Sequence, residues 1–190
     1  MFTDSWLMWT AALDDKTISD IITECEYYTP QDATMGHSGE RTDKTYRTSE
    51  LRWVDKYDKN SKFIYDILWK HAVLANRNSF GFDITDIFDI QYTTYKAEEQ
   101  GQYGPHIDTF WANPTAFDRK LSIIIQLTDP SEYEGGNFVF EPGYSQPDPI
   151  DLKKKGTILV FPSFLGHQVT PITSGVRKSL VTWVEGPKFR

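Results

Sequence analysis

The spacing of hydrophobic and polar positions along the chain changes near residue 80. Before that point, apolar residues recur every three or four positions in two segments, residues 13–28 and 62–80. In the first segment, Ile18, Ile21 and Cys25 have the i, i+3, i+7 spacing of an amphipathic helix. We therefore predict that the N-terminal part of the chain forms two helices.

After residue 80 the apolar runs are short or alternating, and Gly, Pro, Asn and Asp separate them. β-branched and aromatic residues dominate these runs, which is typical of strands. The predicted strands cover residues 86–95, 104–111, 120–128, 136–141, 156–163, 167–172 and 177–185. Many short strands without intervening helices predict a mainly β fold of antiparallel strands, a sandwich or a barrel. We expect the flanking N-terminal helices to cover one sheet from outside.

Length and composition favour a single domain and disfavour several kinds of partner. A chain of 190 residues suits a single domain, here residues 1–190, with residues 1–80 as a helical support and loop region. The net charge of −7 disfavours nucleic acid as a partner, since such binding normally needs a basic surface. The one cysteine, Cys25, excludes an intramolecular disulfide. There is no signal-peptide pattern and no apolar run of about 20 residues, so we expect a cytoplasmic protein without a membrane partner.

Two polar segments are candidates for mobile elements. Residues 35–50 are long, polar and rich in small residues, which is typical both of a functional lid and of an ordinary surface loop. Residues 110–120 are the second candidate. His37 in the first loop and His71 on the second helix are expected to be solvated or packed rather than to bind metal.

The segment GQYGPHIDTFW, residues 101–111, contains the first candidate chemistry. If it is a strand, His106 and Asp108 point to the same face. His167 in a later predicted strand offers a third ligand, and two imidazoles with one carboxylate form the facial triad of non-haem Fe(II) oxygenases. The alternative for His106 and Asp108 is a histidine in a polar turn beside a capping aspartate.

Arg177 follows His167 by ten residues, with Pro171 and a Ser-Gly pair between them. If a turn is centred near Ile172, the two flanking strands pair and bring the guanidinium close to the metal. A guanidinium binds a carboxylate through two parallel hydrogen bonds, so this arrangement suits a short dicarboxylate. Strand alternation places Trp183 on the same face as Arg177. A salt bridge for Arg177 and plain core packing for Trp183 are the alternatives.

Over residues 86–185 these segments resemble a known family. The motifs are Y…GQYxxHxD, an apolar strand, EGGxxxF, GxxxxFPS and HxVxPxxxGxR, in that order. This pattern is similar to the Fe(II)/2-oxoglutarate dioxygenases, and most similar to the prolyl 4-hydroxylase-like branch that includes the PKHD-type hydroxylases. The resemblance implies a double-stranded β-helix, or jelly-roll, core.

The resemblance also implies roles for individual residues. His106, Asp108 and His167 match the iron ligands, and Arg177 matches the residue that holds the distal carboxylate of 2-oxoglutarate. The matching aromatic positions are Tyr95 in the cosubstrate pocket and Tyr103 and Trp183 near the cosubstrate and the target prolyl ring. Gln126 departs from the family, because some relatives carry a tyrosine there that contacts the cosubstrate. Gly135 and Gly136 are expected to form a tight turn at the start of a strand.

The implied activity is hydroxylation of a prolyl residue in a peptide or protein, with Fe(II), 2-oxoglutarate and O2, and release of succinate and CO2. Ascorbate is a further cofactor to consider. Asp108 disfavours halogenation, because related halogenases lack this carboxylate. Two alternatives remain open: the same chemistry on a free amino acid, another small molecule or a nucleobase, and a jelly-roll binding protein or cupin-type metalloenzyme without 2-oxoglutarate.

Overall fold

A computed structural model describes residues 5–34, 43–112 and 114–190. The helices are α1 (Asp15–Glu26), α2 (Lys62–Ala75) and the short α3 (Pro149–Lys153). The side chain of Asp14 caps α1 by accepting a hydrogen bond from the backbone N–H of Thr17. One π-helical turn follows α2, and Gly81 ends it in the left-handed conformation. Both predicted helices are therefore confirmed, with shorter α-helical bounds.

Twelve strands are present in the described part of the chain. They are β1 (Leu7–Trp9), β2 (Gln31–Asp32), β3 (Arg47–Thr48), β4 (Glu50–Val54), β5 (Asp86–Lys96), β6 (Gln102–His106), β7 (Phe117–Gln126), β8 (Tyr133–Gly135), β9 (Phe138–Phe140), β10 (Ile158–Pro162), β11 (His167–Val169) and β12 (Ile172–Pro187). Every strand predicted after residue 80 exists. The first four strands were not predicted, so the N-terminal region contributes to the sheets as well as the helices.

The described strands form two sheets whose pairs are all antiparallel. The larger sheet has the order β1-β10-β7-β12-β5-β4-β2, and β8 pairs with the first part of β12. The smaller sheet has the order β3-β6-β11-β9. The mainly β architecture with flanking N-terminal helices is confirmed.

Two apolar clusters pack the helices and the two sheets together. In the first, Ile18 and Ile21 of α1 and Leu68 of α2 pack on the larger sheet, where Ile123 and Leu180 are fully buried. The helices therefore cover one sheet from outside, as expected. The second cluster is the aromatic-rich layer between the two sheets. Its members are Tyr95, Ile124, Tyr133, Phe138, Phe140, Leu152, Leu159, Phe161, Leu165, Val169 and Ile172.

Parts of both predicted mobile segments form strands. Residues 35–42, including His37, lie outside the described residues, and the rest of the 35–50 segment forms a turn, β3 and the start of β4. The predicted mobile segment 110–120 already enters β7 at Phe117. His71 is packed, with Nδ1 hydrogen-bonded to the carbonyl of Ile67 at 2.7 Å.

Gly135 and Gly136 both have positive φ, 75° and 55°, which supports the predicted turn role. A Cβ on Gly135 would meet the carbonyl oxygen of Pro171, whereas a Cβ on Gly81, at φ 66°, would meet nothing within 4 Å. Both Gly→Ala changes incur backbone strain of about 1–2 kcal/mol. We expect Gly135→Ala to lose a further 1–3 kcal/mol or so of unfolding free energy because of the clash. Urea denaturation of both variants measures the difference, and equal losses would contradict this account.

Candidate active site

His106 and His167 come together because β6 and β11 are antiparallel neighbours. The two residues are direct partners in the strand register, and their ring centroids lie 4.3 Å apart. Asp108 lies just past the end of β6, so the prediction that one strand carries both His106 and Asp108 is wrong. A hydrogen bond from the Asp108 backbone N–H to the carbonyl of Ser163, at 2.8 Å, fixes the turn that brings its carboxylate back.

The three side chains converge. One ligand atom from each of His106, Asp108 and His167 lies within 4.8 Å of the others. Nε2 of His106 is 3.7 Å from Oδ1 of Asp108, and Nε2 of His167 is 3.5 Å from Oδ2. Two imidazole nitrogens and a carboxylate oxygen at this separation can share one metal ion.

The hydrogen bonds of the two rings select the nitrogen that faces the metal position. Nδ1 of His106 lies 2.8 Å from the carbonyl oxygen of Gly104, and Nδ1 of His167 lies 2.8 Å from that of Leu165. A carbonyl oxygen only accepts, so each Nδ1 carries a proton, which leaves Nε2, on the side of Asp108, as the nitrogen that can bind a metal. This tautomer is the one that a metal ligand needs.

The protonation states suit a metal site. Burial lowers the pKa of His106 to about 4, with the charge of His167 as the second cause, so the ring is neutral at pH 7. Burial opposes ionisation of Asp108, but the two histidines, Arg119 and a hydrogen bond from Ser122 outweigh it and lower its pKa. Ser122 Oγ donates to Oδ2 of Asp108 at 2.6 Å and holds the carboxylate in place.

The donor set fits iron. Neutral imidazoles and one carboxylate on one side of a metal ion are the ligands of non-haem Fe(II) oxygenases, which leave the remaining positions for small molecules. Aromatic rings surround the ligands: Tyr103 stacks on His106 at 3.5 Å, and Phe161 and Phe138 pack on His167 at 4.9 and 5.3 Å. These rings fix the imidazoles and keep water from that side.

The ligand atoms face a cavity of about 470 Å³. This volume is within the range of small-molecule sites. Tyr95, Tyr103 and Trp183, which were predicted as site residues, all line it. The structure thus brings these three aromatic residues to the same cavity as His106 and His167.

Arg177 does not line this cavity itself but lies close behind Tyr95, which does. It is 1% exposed, its Nη2 donates to Oε1 of Gln126 at 3.0 Å, and its guanidinium carbon lies 5.5 Å from the Tyr95 ring centre. Its Nε and Nη1 are buried with no hydrogen-bond partner among the described residues. Buried, unpaired donors of a charged group are costly, so the site favours a carboxylate there. The predicted carboxylate anchor is therefore chemically suited to its role.

The route by which Arg177 reaches the site was predicted wrongly. No hairpin pairs the strand of His167 with the strand of Arg177. β11 pairs with β6 and β9 in the smaller sheet, whereas β12 pairs with β5, β7 and β8 in the larger one. His167 and Arg177 therefore belong to different sheets. Lys178 points away from the cavity, as predicted, and its Nζ contacts Glu26 of α1 at 2.6 Å.

Sequence reasoning missed several charged residues of the cavity wall. Arg119 lines the cavity with its guanidinium 3.8 Å from the Trp183 ring centre, and Asp89, Glu185 and Arg47 line it as well. Burial raises the pKa of Asp89 and of Glu185, although the charge of Arg119 lowers both. Arg47 stacks on Tyr103 at 4.2 Å and so extends the ring stack over His106.

Comparison with known proteins decides the family. The model of the 2OG-Fe(II) oxygenase superfamily matches residues 90–185, half of the chain. The chain belongs to the 2OG-Fe(II) oxygenase superfamily. The matched range contains all three candidate ligands, and the family implies Fe(II), 2-oxoglutarate and O2 as cofactor and cosubstrates.

The chain is similar to proteins of the predicted branch. It is 39% identical over 118 residues to a PKHD-type hydroxylase of Synechococcus sp., and 37% identical over 86 residues to one of Colwellia psychrerythraea. These matches cover 62% and 45% of this chain but only 49% and 38% of the relatives. The chain thus matches about half the length of the curated relatives or less. The prolyl 4-hydroxylase-like, PKHD-type resemblance is confirmed.

Solved structures confirm the double-stranded β-helix fold. A Pseudomonas putida prolyl-4-hydroxylase has a TM-score of 0.70 at 18% identity, covering 96% of this chain and 93% of that one. A prolyl hydroxylase from Trichoplax adhaerens, in complex with a hypoxia inducible factor peptide fragment, has a TM-score of 0.75 at 15% identity, covering 96% and 84%. Separately, no helix in the described part of the chain is long and apolar enough to cross a membrane.

Proposed function

We propose that this chain is an Fe(II)- and 2-oxoglutarate-dependent dioxygenase that hydroxylates a prolyl residue in a peptide or protein, with release of succinate and CO2. The observation that carries the proposal is a cavity with a His-Asp-His ligand set and, behind the cavity-lining Tyr95, a buried, partly unpaired arginine, Arg177. A metal site and a carboxylate anchor close to the same cavity are the two contacts that a 2-oxo dicarboxylate needs.

Each site residue has a separate role in this proposal. His106, Asp108 and His167 would hold the iron, which supplies the oxidative chemistry when bound. Arg177 would orient 2-oxoglutarate through its distal carboxylate, and Tyr95 would form part of the wall beside it. The aromatic and aliphatic walls keep bulk water away from the reacting atoms.

A polypeptide substrate is supported by the mouth of the cavity. The exposed apolar side chains Trp53, Phe88, Ile107, Phe110 and Phe117 all line it. Solvent-exposed apolar groups around a site are typical of a surface that binds another macromolecule. A free amino acid would not need this rim. The Trichoplax prolyl hydroxylase, which binds a peptide, has the same fold.

The first test is turnover without a known substrate. Fe(II)-loaded protein is expected to convert 2-oxoglutarate slowly to succinate in the presence of O2, and His167→Ala is expected to abolish this. Succinate is measured by mass spectrometry, with and without ascorbate, so that the need for a reductant is seen as well. Absence of succinate from folded, iron-loaded wild-type protein would rule out the dioxygenase proposal and favour a binding module or a cupin-type enzyme.

The second test addresses the substrate. A library of proline-containing peptides is incubated with the enzyme, and products that gain one oxygen atom are located by fragmentation. Hydroxylation at proline would establish the prolyl proposal. If succinate forms but only free amino acids or other small molecules gain oxygen, the prolyl peptide assignment is wrong while the dioxygenase assignment stands.

A further inference from the structure

Three buried donor atoms of residues that pack near the cavity-lining Tyr95 lack a hydrogen-bond partner among the described residues. Two are Nε and Nη1 of Arg177, and the third is the hydroxyl of Tyr133. Arg177 is 1% exposed and Tyr133 is 4% exposed, so these donors are shielded from bulk water. Each unpaired buried donor costs free energy unless a ligand supplies an acceptor.

The strand register places Tyr133 and Arg177 on the same face. In the pairing of β8 with β12, Tyr133 lies opposite Gly175. Opposite residues of an antiparallel pair point to the same side, and Arg177 follows Gly175 by two positions. The two side chains are therefore diagonal neighbours, a relation that long and aromatic side chains can bridge.

Tyr133 packs against residues that line the cavity. Tyr133 is in the apolar cluster of Tyr95, Ile124 and Phe138, which line the cavity. The ammonium of Lys153 lies 5.4 Å from the centre of the Tyr133 ring and donates to the carbonyl of Gly135 at 3.2 Å. Burial lowers the pKa of Lys153, and the positive charge of Arg177 adds to this effect. Lys153 and Arg177 thus place positive charge around Tyr133, which favours an anion there.

Gln126 cannot supply a hydroxyl beside Arg177. It stands where some relatives carry a tyrosine that contacts the cosubstrate, and its Oε1 is already paired with Nη2 of Arg177 at 3.0 Å. We propose that Tyr133 takes over this contact and donates its hydroxyl to the distal carboxylate of 2-oxoglutarate, beside Nε and Nη1 of Arg177. This inference rests on the proposed function.

The test removes only the hydroxyl. Tyr133→Phe keeps the ring, and Tyr92→Phe is the matched control, because the Tyr92 hydroxyl donates to Glu26 of α1 at 3.2 Å, on the other face of the sheet.

Anaerobic Mn(II)-loaded protein is titrated by calorimetry with 2-oxoglutarate and with 2-oxobutyrate, which lacks the distal carboxylate. We expect Tyr133→Phe to bind 2-oxoglutarate about tenfold more weakly, since a hydrogen bond to a charged group is lost. Its affinity for 2-oxobutyrate, and both affinities of Tyr92→Phe, are expected to equal those of the wild type.

Three outcomes would overturn the inference. Unchanged 2-oxoglutarate affinity in Tyr133→Phe, with collapsed affinity in Arg177→Ala, would reject the role of Tyr133 alone. Equal losses for both ligands would show a general disturbance of the site. No 2-oxoglutarate binding by folded, metal-loaded wild-type protein would reject the proposed function and this inference with it.

Discussion

Replacement of Asp108 by alanine is expected to abolish tight binding of Fe(II) and Mn(II). The carboxylate supplies the anionic ligand between the two imidazoles, and its oxygens lie 3.7 and 3.5 Å from their Nε2 atoms. Loss of a residue that merely supports a metal ligand costs about 10–100-fold in affinity, so loss of a ligand should cost at least about 100-fold. Anaerobic titration of Mn(II), followed by electron paramagnetic resonance, measures the change directly.

Asp89→Ala is the matched control for this prediction. Asp89 lines the same cavity, but its nearest cationic partner is Arg119 at 4.0 Å, and it does not belong to the His-Asp-His group. It should bind Mn(II) as the wild type does. If Asp108→Ala retained wild-type Mn(II) affinity, the assignment of Asp108 as a metal ligand would be wrong.

The candidate ligand set could be predicted from sequence because its members lie in short motifs. His106 and Asp108 are two residues apart, and His167 follows an apolar strand whose end is set by Pro162 and Gly166. Periodicity did not show that the two motifs converge; the residue types suggested a facial triad, and the family resemblance implied the same three ligands. The two histidines converge because β6 and β11 are paired strands in which His106 lies directly opposite His167.

Local sequence patterns did not predict which strands pair with each other. Alternation along residues 177–185 correctly assigned faces, with Arg177 inward and Lys178 toward α1. Alternation does not say which strand lies alongside, since the pairing depends on contacts distant in sequence. Pro171 and Gly175 suggested a hairpin, but the chain crosses from the smaller sheet to the larger one at that point. The predicted hairpin therefore failed while the predicted faces held.

A β-bulge explains why Arg119 was missed. Strict alternation in β7 would place Arg119 on the side of Leu121 and Ile123, against the helices. In the pairing with β12, however, Val184 lies opposite Leu121 and Glu185 lies opposite Arg119, so Lys120 is an extra residue. The bulge turns Arg119 into the cavity. No feature of the residue types around Arg119 signals this insertion, so only the register shows it.

Replacement of Arg177 by alanine is expected to reduce 2-oxoglutarate affinity by about 100-fold or more. The guanidinium is almost fully buried and leaves Nε and Nη1 for a ligand. Two hydrogen bonds to a carboxylate, at about 1.5–3 kcal/mol each, correspond to at least two orders of magnitude. Calorimetric titration of anaerobic Mn(II)-loaded protein measures the loss, and Mn(II) affinity itself should not change, since Arg177 is not a ligand.

Lys178→Ala and Arg177→Lys make this prediction specific. Lys178 is the adjacent residue on the same strand, but it faces α1 and pairs with Glu26, so its removal should leave 2-oxoglutarate binding intact. Arg177→Lys keeps the charge and loses the planar pair of donors, so its affinity should fall between those of the wild type and Arg177→Ala. Equal binding by all four proteins would place the carboxylate anchor elsewhere. Equal losses in Arg177→Lys and Arg177→Ala would show that the paired donors, rather than the charge, hold the cosubstrate.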